Sequence, residues 1–260
     1  DAKLLFNDDT VASLDLSRNG DGANLRAMLD PGLWPMLAPL DQRAGGALTL
    51  TGAASLANMK RVPVTLALAA PAGRLNFSTA SNFEAMEFRE PATLSAQGLD
   101  LGLVAAPLTG KADATGEVRL VGLSDFEWKG DVTGTSVTWP SGGAAKITGP
   151  LTIAKDGSSI FWETAGAIVD GGRVTSLKQL APARYTVATR GDINLRTRLV
   201  EINQAQVRGV PGEASGRGSY MIGSGAFNFA GAASFARLSD LAPLTGSARG
   251  QWTVARASHD

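Results

Sequence analysis

Apolar and polar residues alternate at period two along most of this chain. Leu48 and Leu50 alternate with Thr49 and Thr51; Val62, Val64, Leu66 and Leu68 alternate with Pro63, Thr65 and Ala67; Leu99, Leu101 and Leu103 alternate with Asp100 and Gly102. Successive side chains of a strand point to opposite faces, so each stretch predicts a strand with one apolar face. The pattern continues through Val118 and Leu120, Phe126 and Trp128, Val137 and Trp139, Leu151 and Ile153, Ile160 and Trp162, Val187, Ile193 and Leu195, Val200 and Ile202, Tyr220 and Ile222, Phe227 and Phe229, and Trp252 and Val254. Between these lie residues suited to tight connections: Asn19-Gly20-Asp21-Gly22, Gly45-Gly46, Ser141-Gly142-Gly143, Asp156-Gly157 and Gly171-Gly172. The expectation is an all-β chain of about 18 to 24 short strands.

One stretch departs from period two. Leu25, Met28 and Leu29, then Leu33, Met36 and Leu37, recur at helical spacing on either side of Pro31, which predicts two short helices near residues 25–40. A weaker helical turn is expected at Leu238 to Leu241, before Pro243. A phrase also recurs: Ala38-Pro39-Leu40, Ala106-Pro107-Leu108-Thr109-Gly110 and Ala242-Pro243-Leu244-Thr245-Gly246. Its separations are 106 − 38 = 68 and 242 − 106 = 136, twice the first. This predicts a single repetitive segment over residues 1–260, an elongated stack of strands with repeat joints near 38–46, 106–116 and 242–250. The chain reads as part of something longer.

Composition narrows the chemistry. Lys and Arg number 24, Asp and Glu number 24, so no overall basic field exists to attract nucleic acid. There is no cysteine, hence no disulfide and no thiol chemistry, and the single histidine, His259, is one residue from the C-terminus. A Ser-His-Asp triad or a histidine metal site is therefore not expected. The densest acidic run, Glu84 to Glu90, has no second cluster to face it as a glycosidase pair would require. Phosphate-loop, nucleophile-elbow and dinucleotide fingerprints are missing, and Gly110-Lys111 is followed by Ala112 instead of Ser or Thr. Asp15-Leu16-Ser17-Arg18-Asn19-Gly20 starts like a calcium loop but has Arg26 at its twelfth position, and reads better as a hairpin turn. Arg184, Arg190, Arg196, Arg198, Arg208 and Arg217, interspersed with Asp192, Glu201 and Glu213, read as solvated strand faces, with contact to lipid phosphate as the alternative. The expectation is a protein that is not an enzyme and has no cofactor or metal.

Gly225-Ala226-Phe227-Asn228-Phe229-Ala230-Gly231, followed by the run from Leu238-Ser239-Asp240-Leu241-Ala242-Pro243-Leu244 to Gly246-Ser247-Ala248-Arg249-Gly250-Gln251-Trp252, resembles internal repeats of alphaproteobacterial members of the TamB family. In those repeats a glycine-flanked strand, an L-x-x-L-x-P-L turn and a G-x-A-x-G-x-W strand follow one another. Similar wording occurs at Val62 to Leu66, Leu103 to Gly110 and Gly149 to Ala154, and it is shared with AsmA-like and YdbH-like proteins. The resemblance implies an internal segment of a periplasmic bridge, anchored in the bacterial inner membrane by parts not present here. Its strands would curl into a groove (a β-taco or open β-helix-like sheet) with an apolar lining. It further implies phospholipid acyl chains as partners, and a BamA-like outer-membrane barrel met through other parts of the parent chain. The roles implied are phospholipid movement between membranes and outer-membrane protein assembly, including autotransporter secretion.

Alternation alone places Leu48, Leu50, Leu66, Leu68, Leu101, Val118, Leu120, Leu151, Ile153, Ile193 and Leu195 on one apolar stripe, the candidate lipid groove, with Thr65 and Arg119 on the outer face. The residues leave open a closed β-sandwich or β-helix in which that stripe is a dry core, and the resemblance favours the groove. Two other functions remain as alternatives. A secreted β-helical adhesin or passenger domain predicts a filled core, and a carbohydrate-active β-helix enzyme predicts an acidic cluster on one sheet.

Overall fold

The computed structural model describes all residues except 1, 7–8, 34, 83, 85–86, 89–90, 105–106, 121–124, 141, 175–182, 211, 237–244 and 258–260. Strand makes up about three quarters of the described residues, the pairing is antiparallel, and the sheet is open, not closed. Seventeen strands are present among the described residues. The chain divides into two compact units, Asp1–Val118 and Arg119–Asp260.

The first unit is a meander. Its strands are β1 (Ala2–Phe6), β2 (Asp9–Asn19), β3 (Gly22–Leu29), β4 (Leu48–Ser55), β5 (Val62–Ala70), β6 (Gly73–Asn82), the two-residue β7 (Glu87–Phe88), β8 (Ala92–Asp100) and β9 (Thr109–Leu120) as far as Val118. Each strand pairs with the next, except that β6 pairs with both β7 and β8. The β2–β3 hairpin closes through Gly20-Asp21, with Asn19 opposite Gly22, and Gly20 takes the left-handed conformation (φ 57°) that such a two-residue turn needs. The calcium-like wording at Asp15 to Gly20 is thus a hairpin.

Helical structure is present in the expected region, but only in its second half. Leu25, Met28 and Leu29 belong to β3, and helical structure begins only after Asp30: 3-10 turns at Pro31–Leu33 and Pro35–Leu37, then α1 (Ala38–Ala44). Gly45 ends α1 in the left-handed region (φ 73°) with its N–H donated to Asp41 O, so Gly45-Gly46 terminates a helix instead of joining two strands. A second short helix, α2 (Leu101–Val104), replaces the strand expected through Leu101 and Leu103. There the Asp100 carboxylate accepts the Gly102 N–H at 2.9 Å, a local bond that competes with the ladder and turns the chain away. The two helices lie at one end of the sheet. Ala72 N–H donates to Ala44 O (2.9 Å) and Asp100 N–H to Ala72 O (2.7 Å), tying α1, the β5–β6 turn and the end of β8 together.

The second unit holds β10 (Phe126–Trp139), β11 (Gly142–Asp156), β12 (Ser159–Val174), β13 (Ala183–Asn194), β14 (Leu199–Gly209), β15 (Gly212–Met221), β16 (Phe227–Phe235) and β17 (Ala248–Arg256). Each is antiparallel to its predecessor in chain order. Gly157 (φ 53°) sits in the two-residue β11–β12 turn, as expected for Asp156-Gly157. Gly171-Gly172, by contrast, lies within β12 at a register shift between Val169 and Gly172, a bulge and not a turn. Leu195 and Ile222 fall just beyond their strands, in turns.

The first two occurrences of the recurring Ala-Pro-Leu phrase differ where they are described. At its first occurrence it opens α1, while Pro107 and Leu108 precede β9 without a helix over them. Ala242, Pro243 and Leu244, and the weak helix expected at Leu238 to Leu241, lie outside the described residues.

Candidate functional site

Cross-strand register fixes which side chains share a face. In the first unit Leu14, Ala27, Leu50, Leu68, Leu75, Ala96 and Ala114 stand opposite one another in turn across β2, β3, β4, β5, β6, β8 and β9. The next rung of the same face is Leu16, Leu25, Gly52, Leu66, Phe77, Leu94 and Gly116. The opposite face carries Arg26, Thr51, Ala67, Asn76, Ser95 and Thr115 in register. One face is therefore aliphatic and the other polar.

Burial agrees with this division, because the apolar positions of β3, β4 and β9 are more shielded than the polar positions between them. Full burial is nevertheless confined to a few side chains, among them Val11, Val62, Ala92, Ala96 and Val118. Leu14 stays 38% exposed and Leu16 66% exposed. An antiparallel sheet ordinarily packs one face on a core, and large apolar side chains left open in register need an explanation. At the helical end the apolar face forms an open recess of about 550 Å³ lined by Leu14, Ala27, Leu29, Leu48, Leu50 and Leu68, with Leu40 of α1 at its margin. A recess of about 400 Å³ on the polar face is lined by Thr51, Thr65, Ser78, Thr93 and Ser95.

In the second unit the apolar face is tiled differently. Trp128, Ile153, Trp162, Gly191, Ile202, Gly218, Phe229 and Val254 form one rung from β10 to β17. Ile160, Ile193, Val200, Tyr220 and Phe227 form the neighbouring one. Glycines make room for the rings. A Cβ on Gly191 would meet the Trp162 ring at 2.5 Å and the Glu201 carbonyl closer still, and one on Gly209 would meet Tyr185 at 2.7 Å. Among the described residues, the buried side-chain atoms Thr79 Oγ1, Trp128 Nε1 and Thr164 Oγ1 have no hydrogen-bond partner.

Arg184, Arg190, Arg208 and Arg217 lie on the polar face of this unit, where Arg208 pairs with Glu213 (3.4 Å) and Arg184 with Asp170 (3.5 Å). Arg196 and Arg198 are in the β13–β14 turn. All six are exposed, as expected of solvated faces.

Of the residues expected to line a groove, Leu48, Leu50, Leu66 and Leu68 come together on the apolar face of the first unit, with Val118 on the same face opposite Ala92. Leu151, Ile153 and Ile193 share the apolar face of the second unit. Leu101 is in α2 and Leu195 in a turn, so neither belongs to a rung. Leu120 ends β9 with 52% exposure. Thr65 and Arg119 are exposed, and Thr65 points to the polar face as expected. Leu14, Leu25, Leu75, Phe77, Trp128, Trp162, Ile202 and Phe229 join the apolar faces although they were not singled out. Alternation around each of them carried the signal, but only the pairing partners reveal the rung.

No group of three or more metal-ligating side chains occurs among the described residues, and no helix among them is long and apolar enough to cross a membrane. Compared with known proteins, the chain matches no family model, no curated protein and no solved structure.

Proposed function

We propose that this chain is a non-catalytic segment of a TamB-like bridge in the bacterial periplasm, whose apolar sheet faces receive phospholipid acyl chains. The observation that carries the reading is the apolar face in each unit, where leucines, tryptophans and phenylalanines stand in register and Leu14, Leu16, Tyr220 and Val254 remain exposed. Each methylene moved from water onto such a face is worth about 0.8 kcal/mol, so an acyl chain leaves a bilayer for the face at small net cost. A polar opposite face and an antiparallel, open sheet suit a surface wetted on one side. Movement of phospholipid between the two membranes, or support of outer-membrane protein assembly beside a BamA-like barrel, is the role that goes with the resemblance. A β-helical passenger domain fits less well, because β-helix coils are parallel whereas these strands form hairpins.

The experiment is lipid mass spectrometry on the purified chain, followed by transfer of fluorescent phospholipid between vesicles. The chain should retain phospholipid. Leu66→Asp and Ile153→Asp should lose several-fold in both retention and transfer, since a carboxylate on an apolar surface is strongly disfavoured, while Thr65→Asp on the polar face keeps both. A folded chain free of lipid, or equal behaviour of all three variants, overturns the reading.

A further inference from the structure

The polar face of the second unit carries a row of side chains that solvation alone does not account for. Phe161, Asp192, Glu201, Ser219 and Asn228 stand directly opposite one another from β12 to β16. Trp162, Tyr220, Phe227 and Phe229 turn to the apolar face, whereas Phe161 turns to the polar one and is 44% exposed there. Beside it, Asp192 and Glu201 form a like-charge pair across two strands, an arrangement that costs a sheet stability.

β14 bulges next to this pair. Gly191 is opposite Ile202 and Arg190 opposite Gln204, so Asn203 is an extra residue that no residue of β13 opposes. Bulges re-aim side chains, and here the Asn203 amide reaches Asp192, with Nδ2 donating to Oδ1 at 3.3 Å. Asn203 is also shared by two open recesses. One, of about 220 Å³, is lined by Thr152, Phe161, Glu163 and Arg190; the other, of about 430 Å³, by Glu201, Arg217, Ser219 and Asn228. Elsewhere on this face Arg208 pairs with Glu213 and Arg184 with Asp170. Among the described residues Glu163, Arg190, Glu201 and Arg217 are in no salt bridge, although Glu163 and Arg190 stand opposite each other.

The two recesses therefore offer an exposed ring together with carboxylate, amide, guanidinium and hydroxyl groups that are not used up by one another. A pyranose matches this set. Its C–H groups meet the negative face of an aromatic ring, and each of its hydroxyls both donates and accepts, which suits carboxylates and guanidiniums set side by side. The carboxylates of Glu163, Asp192 and Glu201 outnumber the guanidiniums of Arg190 and Arg217, so an anionic ligand is disfavoured. With strands about 4.8 Å apart, the row from Phe161 to Asn228 spans roughly 19 Å, which suits a short oligosaccharide better than a single sugar. The geometry points to a binding site for a neutral oligosaccharide, with one ring stacked on Phe161 and the following rings laid past Asn203 towards Asn228. The site is on the face opposite the acyl-chain surface and does not depend on it. One side of the ligand stays in water, so the dissociation constant is roughly millimolar.

Nuclear magnetic resonance titration of the full chain with cellotetraose, maltotetraose and chitotetraose, each to roughly 10 mM, tests the site. At least one should bind and shift the amides of residues 161, 192 and 203. Phe161→Ala and Asp192→Ala should each weaken that binding about tenfold. Asp192→Ala also ends the like-charge pair, so its fold should hold. Arg208→Ala, on the same face outside the row, should leave binding unchanged. Tetragalacturonate, with a carboxylate on every ring, should bind at least about tenfold more weakly than the neutral ligand. Failure of all three neutral tetrasaccharides to bind overturns the inference. So does binding that ignores Phe161→Ala and Asp192→Ala, or that is as tight for tetragalacturonate.

Discussion

The two units build the same kind of surface from different side chains. The first tiles its apolar face with leucine and alanine, as in the rung Leu14, Ala27, Leu50, Leu68, Leu75 and Ala96. The second sets rings over glycines: Trp162 against Gly191, Tyr185 against Gly209, Phe229 against Gly218 and Trp252 against Gly231. Leucine rungs are adjustable, because the ends of flexible chains can give. Ring-over-glycine rungs are rigid, because the ring fills the space that a Cβ would occupy and the neighbouring backbone closes the other side. Two apolar faces should therefore differ in their tolerance of change.

The largest effect should come from adding one carbon to each kind of rung. In Gly191→Ala the new Cβ meets both the Trp162 ring and the Glu201 carbonyl, and the cost should be about 2–3 kcal/mol. In Gly52→Ala the closest atom is Leu66 Cδ2 at 2.8 Å, the end of a flexible side chain. The lower entropy of the unfolded chain offsets much of that contact, so its cost should stay within about 1 kcal/mol. Urea denaturation with hydrogen exchange read in each unit measures both, and equal costs would mean that the rungs are equally plastic.

Truncation should separate the units by less. Trp162→Ala should cost about 2 kcal/mol and Leu50→Ala about 1 kcal/mol, both below the values for fully buried residues because each side chain is only half-buried. The same unfolding curves decide this, and a larger loss at Leu50 would reverse the comparison.

The smallest effect has the opposite sign. Thr164 in the second unit and Thr79 in the first each bury a hydroxyl without a hydrogen-bond partner. Thr164→Val and Thr79→Val keep the branched shape, remove the unpaired group and should each stabilise by about 1 kcal/mol. No gain at either site would show that the hydroxyl is hydrated from the open face.

Period two, and with it the all-β class, the polar and apolar faces and the two-residue turns at Gly20 and Gly157, was legible in the sequence because strand geometry acts on neighbours. The apolar side of Leu48, Leu50, Leu66, Leu68, Val118, Leu151, Ile153 and Ile193 was legible in the same way. Where two periods coincide the sequence was ambiguous. Leu25 and Leu29, four apart, satisfy a helix face and a strand face equally, and only pairing of β3 with β2 and β4 selects the strand, leaving Met28 on the polar side at 42% exposure. Leu101 and Leu103 alternate like strand residues, yet the Asp100 carboxylate caps a helical turn there. Gly171-Gly172 reads as a turn but lies within β12, because the flanking residues of β11 and β13 continue their ladders past it.

What the sequence determined by itself is thus local: which residues alternate, where the chain reverses, and that each strand has an apolar side. What tertiary structure decided is register, and register depends on partners tens of residues away. It set which leucine faces which, put glycines under Trp162, Tyr185, Phe229 and Trp252, and divided the chain at Val118 into two units. A one-residue slip would have moved every side chain of a strand to the other face, so no reading of a single strand could have supplied the rungs.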